Sequence, residues 1–406
     1  MTFHMKRVVF LMSDTGGGHR AAGRAIEAAL NHLYPGEYKT YYVDVFREYT
    51  PPPMKYAPEI YPKWVKHSIK TYGWYFQFFD QLMQLPLARS TLPTLVAEDA
   101  VKKLVNDYQP DIIVVLHGAF SRFVVGARSR LRFNIPIITV ITDLAKPHVA
   151  WYHPSVDRCL VPCEAAYWRG IKLGVPASKM RLVGHPAHPK FAMYKGTKQE
   201  ARQTLNWLPD LPAVMMVGGG EGMGDMQEVA EAINNRHLKL QLAIVCGRNK
   251  ELRETLQALT WHQPTHIYGF VDNIEVMMRA ADVLITKAGP GTIAEAAISG
   301  VPMILNDAIP YQESPNIDFV VANGAGIFEP APEGIAAKLE QWLQPGDETL
   351  RKLAENVKKI AYPNATFEIA EEIHALCQAP RPETWQQPEP RQDTLLDLLS
   401  RLQEHG

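Results

Sequence analysis

A histidine follows three consecutive glycines near the start of the chain, in the stretch SDTGGGHRAAGRAI (13–26). The apolar run RVVFLM precedes it, so the pattern predicts a strand, a tight turn and a helix that begins near His19. The dipole at the start of a helix disfavours positive charge and keeps an imidazole neutral, the form that accepts a proton near pH 7. We therefore predict His19 as a general base, with Gly17 and Gly18 leaving the backbone open to an approaching substrate.

This turn matches neither common phosphate-binding fingerprint. It lacks the Lys-Ser/Thr ending of a P-loop and departs from the strict G-x-G-x-x-G spacing, so a ligand-free strand-to-helix turn is the alternative interpretation. Asp143 ends the strand-like run PIITVITD. It is a second candidate for the base, or for the group that orients His19, unless it only caps the segment that follows.

The strongest chemical pattern is ITKAGPGTIAEAAISGVPMIL (285–305). It predicts a strand that ends at Lys287, a tight turn through Gly289 and Gly291, and a helix that begins near Thr292. Free backbone N–H groups at such a helix start, together with the Thr292 hydroxyl, favour the binding of a diphosphate. This pattern indicates a site for a phosphorylated ligand.

Two neighbouring features suit the nucleoside part of such a ligand. Glu295 follows one helical turn later, where a carboxylate can accept hydrogen bonds from both hydroxyls of a ribose. In IYGFVDNIEVMM (267–278) a predicted strand ends at Phe270 and Val271, where backbone groups could hold a flat uracil.

Two more features suit a sugar. Gln312 and Glu313, in PYQESPN (310–316), are placed to hydrogen-bond the hydroxyls of a hexose. Gly220 lies in a second glycine turn, VGGGEGMGD (217–225), whose backbone could approach an anion or a sugar closely. Together these pieces predict a nucleotide-sugar site. The alternative from another class is a dinucleotide-binding oxidoreductase or a nucleotide sensor.

These residues lie at the ends of predicted strands. Apolar β-branched runs alternate with helical patterns, which predicts an α/β fold of two doubly wound domains that face a central cleft. Residues 186–197 interrupt this alternation with prolines and a glycine. We therefore predict an N-terminal acceptor domain over 1–190, a nucleotide-sugar-binding domain over 191–378, and a Pro-rich tail with a short amphipathic helix over 379–406.

The composition excludes several classes of protein. The chain has 406 residues, a formal net charge of -1 and four cysteines. The charge gives no global argument for nucleic-acid binding, and the cysteines are too few for a disulfide framework. No apolar run reaches the length of about 20 residues that spans a bilayer. These features predict a cytoplasmic protein that can still lie on a membrane.

Several motifs in combination resemble one family, the monogalactosyldiacylglycerol synthases of the GT-B glycosyltransferases. The resemblance runs from about residue 7 to about residue 375 and rests on GGGHRAA, VITDLAKPHVAWYH, GGGEGMG, VCGRNKEL, GFVDNIEVMM, ITKAGPGTIAEA and LNDAIPYQESPN. The diacylglycerol glucosyltransferases and the GlcNAc transferase of peptidoglycan synthesis belong to the same group. This chain has Tyr311 where the family pattern leads us to expect glycine.

The resemblance implies inverting transfer of galactose from UDP-galactose to the 3-hydroxyl of 1,2-diacylglycerol, without a catalytic metal or other cofactor. The absence of an Asp-x-Asp motif agrees with that expectation. Transfer from UDP-glucose to diacylglycerol is the alternative, as is a GT-B transferase or epimerase acting on another UDP-sugar.

A lipid acceptor requires a surface that meets a membrane. The stretch YPKWVKHSIKTYGWYFQFF (61–79) mixes lysines with aromatic residues, including Trp64 and Trp74, which is typical of an interfacial element on anionic lipid. Its alternative is an ordinary helix packed on a sheet. Trp151 is either a wall of the acceptor site or a core residue. We expect a peripheral protein on the cytoplasmic side of the cell membrane.

Overall fold

The computed structural model describes residues 5–15, 17–84, 97–219 and 225–380. The predictions for Gly220 and for the tail beyond residue 380 lie outside these residues. The chain divides into two compact units. Unit 1 comprises the described residues up to Thr142, residues 147–182 and those from Phe367 onward, whereas unit 2 comprises Asp143–Lys146 and Val183–Thr366.

Unit 1 is built on a parallel six-stranded sheet in the order β2-β1-β3-β4-β5-β6. In its central strands, residues 8–12 and 112–115 form continuous apolar runs that are fully buried, as expected where helices cover both faces of a parallel sheet. The strands are β1 (Lys6–Met12), β2 (Tyr38–Asp44), β3 (Ile112–Val115), β4 (Ile137–Val140), β5 (Arg158–Val161) and β6 (Met180–Leu182).

The helices of unit 1 include one long aromatic segment, α3 (Ala57–Leu82), which is kinked at Ser68 by a non-helical backbone conformation. The helices are α1 (Gly18–Leu33), α2 (Val45–Tyr49), α3 (Ala57–Leu82), α4 (Ala97–Tyr108), α5 (Gly118–Leu131) and α6 (Glu164–Lys172). Three-residue 3-10 helices lie at Met54–Tyr56, Val149–Trp151 and Ala177–Lys179.

Unit 2 repeats this architecture with the strand order β12-β11-β10-β7-β8-β9, again all parallel. Its strands are β7 (Ala213–Val217), β8 (Gln241–Val245), β9 (Thr265–Tyr268), β10 (Val283–Thr286), β11 (Met303–Leu305) and β12 (Gly326–Phe328). Its main helices are α7 (Pro189–Met193), α8 (Lys198–Leu205), α9 (Met226–Asn235), α10 (Lys250–Ala258), α11 (Ile274–Ala280), α12 (Pro290–Ser299), α13 (Ser314–Ala322), α14 (Pro332–Trp342) and α15 (Thr349–Val357). A 3-10 helix follows at Lys358–Ile360.

The last described helix, α16 (Ala365–Gln378), begins in unit 2 and continues in unit 1 from Phe367. There Glu372 pairs with Arg158 on β5 at 2.9 Å, and His374 accepts or donates a hydrogen bond with the Tyr38 hydroxyl at 2.8 Å. These contacts return the C-terminal end of the described chain to unit 1, whereas the sequence assigned residues 191–378 to one domain.

The predicted α/β class is confirmed. Eleven of the twelve strands in the described residues overlap apolar runs that predict strands: RVVFLMS, KTYYVDVF, DIIVVLHG, PIITVITD and RCLVPC in unit 1, and AVMMVGGG, LQLAIVCG, THIYGF, DVLITKAG, PMILND and GAGIFE in unit 2. The strand that the sequence did not predict is β6, whose three residues include a half-buried leucine and an exposed arginine. The boundary also differs, since unit 2 begins at Val183 and takes in the short segment Asp143–Lys146. Within the described ranges, no helix combines the length and apolar character needed to cross a bilayer. All four cysteines are buried free thiols.

Candidate active site

Each sheet has a switch point where the connections leave in opposite directions, between β1 and β3 in unit 1 and between β7 and β10 in unit 2. Ligands of open α/β sheets bind outside the carboxyl ends of the strands at such a point. The residues after β1 and β3 include His19 and His117, while those after β7 and β10 include Gly219 and Lys287. The predicted catalytic and diphosphate-binding segments thus lie at the two switch points.

His19 stands in the first turn of α1, as predicted, and is partly buried. Its Nδ1 forms a hydrogen bond with the hydroxyl of Thr142 at 3.0 Å. Burial lowers the pKa of His19 to about 4, although a hydrogen bond to the backbone of Leu116 and the charge of Asp14 act in the opposite direction. The imidazole is therefore neutral at physiological pH, which is the protonation state of a general base.

His117 is a second imidazole beside the first, with ring centroids 4.7 Å apart. Its Nδ1 accepts the N–H of Ala119 at 3.3 Å and so caps the start of α5, while Nε2 lies 3.4 Å from the Thr15 hydroxyl. Because Nδ1 is an acceptor, the neutral ring carries its proton on Nε2. Burial, then the neighbouring His19, holds the pKa of His117 well below its usual value.

The glycine turn is fixed at both ends by charged side chains. Asp14 receives two hydrogen bonds from the guanidinium of Arg20, at 2.8 and 2.9 Å, and its own N–H donates to the buried carboxylate of Asp44 at 3.0 Å. The bond from Arg20 lowers the pKa of Asp14. A methyl group on Gly17 or Gly18 would meet no atom within 4 Å. Both glycines therefore border open space, as the substrate-approach hypothesis requires.

Trp151 is a core residue, only 2% exposed, in the 3-10 helix Val149–Trp151. Its ring packs against Gly118, where an added Cβ would come within 3.1 Å of the indole. The centroid of the ring is 6.3 Å from that of His19. Of the two interpretations of Trp151, the structure supports packing beneath the histidines rather than an exposed wall.

Asp143 belongs to unit 2, in the segment Asp143–Lys146. That segment is held by Asn316, which accepts the N–H of Ala145 at 3.1 Å and donates to the carbonyl of Ala288 at 2.9 Å. The partner that the structure records for Nδ1 of His19 is the preceding residue, Thr142. The role of Asp143 as a base stays a prediction.

In unit 2, Lys287 follows β10 and its ammonium pairs with Oε1 of Glu313. The other carboxylate oxygen of Glu313 accepts the N–H of Ile309 at 3.0 Å, and the side chain is buried. A Cβ on Gly289 would lie 3.4 Å from Nζ of Lys287, and Gly219, with φ of +70°, lies beside the same side chain. The sequence assigned Glu313 to a hexose, whereas here it holds the lysine against two glycines.

The helix after this turn, α12, begins at Pro290, two residues before the predicted start. Gly289 is its N-cap and provides no side-chain hydrogen bond. The N–H groups of Gly291 and Thr292 therefore have no partner within the helix, which is the arrangement that binds anions at helix starts. The ten-residue length of α12 supplies the accompanying dipole.

Glu295 lies one turn into α12 and is partly buried. Burial raises its pKa to about 7, and the charge of Glu275 acts in the same direction, whereas Lys190 lowers it. Lys190 is also paired with Glu275 at 2.8 Å. A carboxyl group with this pKa loses its proton near neutral pH, so it changes there from a group that can donate a hydrogen bond to one that only accepts.

In the segment predicted to hold uracil, the strand ends earlier than the sequence predicted. Strand β9 ends at Tyr268, two residues before Phe270. The Phe270 ring is exposed, with the guanidinium of Arg248 4.9 Å from its centroid, whereas Val271 packs against the apolar core of unit 2. An exposed ring and a neighbouring guanidinium are flat surfaces on which a nucleobase can stack. Stacking of this kind differs from the predicted recognition of uracil by backbone groups.

The residues before Glu313 form a strained turn. Tyr311 has φ of +63°, the left-handed conformation that favours glycine, and its side chain is exposed. Gln312, next in the chain, is partly exposed. The departure from the family pattern at Tyr311 thus falls at a position where glycine would be less strained.

Both tryptophans that the sequence assigned to the membrane surface lie in α3, but they differ in their exposure to solvent. Trp64 donates its indole N–H to Thr71 at 2.8 Å and its ring packs near Tyr72 and Tyr75. Trp74 is 66% exposed and stacks on Phe78, which is also exposed. Only Trp74 therefore presents its ring outward.

The sequence placed His117 at a strand end and favoured a turn histidine over a catalytic one. Sequence reasoning missed three further contributors to these sites: Thr142, Asn316 and Asp80. Thr142 lies two residues after β4, and position after a buried strand is the signal that could have identified it. Asn316 and Asp80 act through contacts with residues distant in sequence. No short pattern marks such contacts.

A family model described as Monogalactosyldiacylglycerol (MGDG) synthase matches residues 19–187, and the Glycosyltransferase family 28 C-terminal domain matches residues 213–373. The monogalactosyldiacylglycerol synthase of Spinacia oleracea is 38% identical over 91% of this chain and 72% of its own length. Monogalactosyldiacylglycerol synthase 1 of Arabidopsis thaliana is 37% identical over 91% of this chain and 71% of its own.

Solved structures confirm the predicted GT-B fold. MurG of Acinetobacter baumannii superposes with a TM-score of 0.60 at 16% identity, covering 91% of this chain and 99% of its own. A structure from Listeria monocytogenes described as a UDP-N-acetylglucosamine 2-epimerase superposes with a TM-score of 0.57, also at 16% identity. It covers 94% of this chain and 99% of its own. At such identities the likeness concerns the fold alone.

The comparisons correct one expectation. Both plant relatives are named chloroplastic. This finding contradicts the predicted position on the cytoplasmic side of the cell membrane, which rested on general features of composition that do not distinguish one compartment from another.

Proposed function

The chain belongs to the monogalactosyldiacylglycerol synthase family, and from this premise we propose that it transfers galactose from UDP-galactose to the 3-hydroxyl of 1,2-diacylglycerol with inversion at the anomeric carbon. It is a glycosyltransferase, with a nucleotide-sugar donor and diacylglycerol as acceptor. The observation that carries the proposed mechanism is the neutral, partly buried imidazole of His19 beside two glycines that border open space.

We propose that His19 accepts the proton of the acceptor hydroxyl. The hydroxyl oxygen then forms the new bond to the anomeric carbon as the bond from that carbon to the UDP oxygen breaks, and the proton leaves later to solvent. Because its pKa is about 4, the imidazole is a weak base, so proton transfer must accompany formation of the new bond rather than precede it. The hydrogen bond between Nδ1 and the Thr142 hydroxyl fixes the ring for this step.

On the donor side, the start of α12 and the ammonium of Lys287 are the groups suited to stabilising the departing UDP. Free N–H groups of Gly291 and Thr292 and a positive side chain would meet the charge that develops on the diphosphate as the sugar leaves. We propose that these groups take the role that a divalent metal has in other transferases. Transfer that persists in full after removal of divalent ions with EDTA would support this proposal, and its complete loss would contradict it.

We propose further that α3 lies against the lipid surface that holds the acceptor. Among the described residues, large exposed apolar side chains are concentrated around this helix: Met54, Tyr56, Ile60, Trp74, Tyr75 and Phe78. Lys63 and Lys70 of the same helix are exposed. Exposed aromatic rings with neighbouring lysines suit the headgroup region of an anionic bilayer, where each lysine near the surface contributes about 1 kcal/mol.

The deciding experiment uses the purified protein with vesicles that contain diacylglycerol and either UDP-galactose or UDP-glucose. We expect one galactose joined to the 3-hydroxyl through a β-linkage, identified by NMR of the product. Preference for UDP-glucose would replace the donor in the proposal, and the absence of transfer from both donors would contradict it. Parallel sedimentation with neutral and anionic vesicles tests the surface: loss of binding in Trp74→Ser/Phe78→Ser supports it, and unchanged binding contradicts it.

A further inference from the structure

The last turn of α3 is bound to the rest of unit 1 through the carboxylate of Asp80. Asp80 accepts the N–H of Val149 at 2.7 Å and two hydrogen bonds from the guanidinium of Arg169, at 3.0 and 2.8 Å. Arg169 also donates to the carbonyl of Pro147 at 2.7 Å. The side chain of Asp80 is largely buried, and charge-assisted hydrogen bonds of this kind are among the strongest in proteins. The end of α3 is thus fixed to the segment around Val149.

Asp80 lies on the side of α3 opposite to the exposed rings. Successive residues of a helix are rotated by about 100°, so Trp74 and Phe78 share one face while Phe76 and Asp80 share the other. Phe76 packs edge-on against His148, with centroids 5.0 Å apart, whereas Trp74 and Phe78 are exposed. One helix therefore carries the proposed lipid-facing surface and the contact to the interior.

The segment that Asp80 holds continues to the catalytic histidine. Val149 opens the 3-10 helix that ends at Trp151, and the Trp151 ring lies 6.3 Å from the ring of His19, centroid to centroid. Trp151 also packs against Gly118 at the start of α5, directly after His117. A displacement of Val149–Trp151 would therefore reach both imidazoles, because closely packed interiors transmit small shifts.

We propose that Asp80 is a positioning residue that couples contact between α3 and a lipid surface to the placement of His19. Docking of the exposed face fixes the helix, and Asp80 transmits that constraint through Val149 to Trp151 beneath the imidazole. The enzyme is then more active on an acceptor presented in a bilayer than on the same acceptor dispersed in water. This inference depends on the proposed function for the identity of the acceptor and of the surface.

The experiment measures kcat/KM for one short-chain diacylglycerol in two forms, incorporated in anionic vesicles and dispersed in water below its critical micelle concentration, and takes the ratio of the first value to the second. We expect the wild-type ratio to exceed that of Asp80→Asn by about tenfold, a size typical of coupling between two sites. Asp80→Asn should still sediment with the vesicles, because the exposed rings are unchanged. Asp80→Glu should recover part of the ratio, since it restores the charge with one added methylene.

Glu372→Gln is the matched control, because Glu372 pairs with Arg158 elsewhere in unit 1 with similar burial. It should leave the ratio at the wild-type value. A purely structural role for Asp80 predicts that Asp80→Asn lowers both rates in proportion and leaves the ratio unchanged, and that result would overturn the inference. A wild-type ratio near one would overturn it too, while the proposed transferase function would stand; that function fails only if neither acceptor is glycosylated by the wild type.

Discussion

The ammonium of Lys287 is paired with the buried carboxylate of Glu313, and both lie beside Gly289 at the switch point of the sheet in unit 2. The pair spans 26 residues of sequence and joins two motifs that the sequence assigned to different parts of the ligand. Glu313 thereby directs a positive charge toward the glycine turn. In the proposed diphosphate site, Glu313 would contribute to binding indirectly, by holding that charge in position.

Removing this charge should weaken diphosphate binding selectively. Because Lys287→Ala alone would leave a buried carboxylate unpaired, the informative variant is Lys287→Ala/Glu313→Gln. We expect its affinity for UDP to fall about tenfold, the size of one charge-assisted hydrogen bond, while uridine binds as before. Isothermal titration calorimetry with both ligands measures this, with Lys198→Ala, which breaks an exposed pair with Asp282, as the control. Equal weakening of UDP and uridine would show that Lys287 does not contact the diphosphate.

Replacing His19 by alanine should remove the proposed base without disturbing the proposed nucleotide site in unit 2. We expect kcat to fall by about 100-fold to 10,000-fold, the usual contribution of a general base, with UDP affinity within about twofold of the wild type. A variant with near-normal turnover would exclude His19 as the base.

The pH dependence of the wild-type enzyme provides a second test of His19. With a pKa of about 4, the imidazole loses its basic form only when the pH falls toward that value. At saturating donor, kcat should therefore show no decline due to His19 between about pH 8 and pH 5. If kcat falls with an apparent pKa of about 6.5, the unperturbed value for histidine, the base is either exposed or another residue.

The raised pKa of Glu295 leads us to expect that nucleoside binding depends on pH. Its pKa is raised to about 7, so the ionised form predominates above that pH and the protonated form below it. In the proposed site, the ionised form would accept hydrogen bonds from two ribose hydroxyls. The affinity for uridine, which has no titrating phosphate, should therefore decrease by about fivefold as the pH falls through 7, corresponding to the difference between a charged and a neutral acceptor. In Glu295→Gln the affinity should not vary with pH. The same pH profile in wild type and variant would place the ribose elsewhere.

The variant Gly18→Ala tests whether a substrate occupies the open space beside the glycine turn. A methyl group there meets no atom within 4 Å and alanine favours a helix more than glycine, so Gly18→Ala should retain or gain stability. We expect the KM for diacylglycerol to rise about tenfold, because the added carbon occupies space needed by a substrate. Gly23→Ala is the contrasting variant: its Cβ would lie 2.7 Å from the Tyr42 ring, so a lower Tm is expected. Unchanged transfer by Gly18→Ala would show that no substrate reaches this turn.

The sequence by itself determined the two sheets and the segments that lie at their switch points. Strands such as β3 and β10 are short runs of adjacent apolar residues, and the turns after β1 and β10 are marked by glycines next to the strand end. Such patterns are local, because hydrophobic periodicity and glycine placement depend on a few neighbouring residues. The starts of α1 and α12 were predicted within two residues for the same reason.

Only the tertiary structure decided how side chains in distant segments pair. Thr142 reaches His19 across 123 residues, Asp80 reaches Arg169 across 89, and Glu313 reaches Lys287 across 26. The same holds for exposure, since Trp64 and Trp74 occur in one aromatic stretch, yet only Trp74 is highly exposed. A short pattern shows which residues can share a face of a helix or strand. Which atoms then meet is set by the packing of whole elements, and that depends on all of their contacts at once.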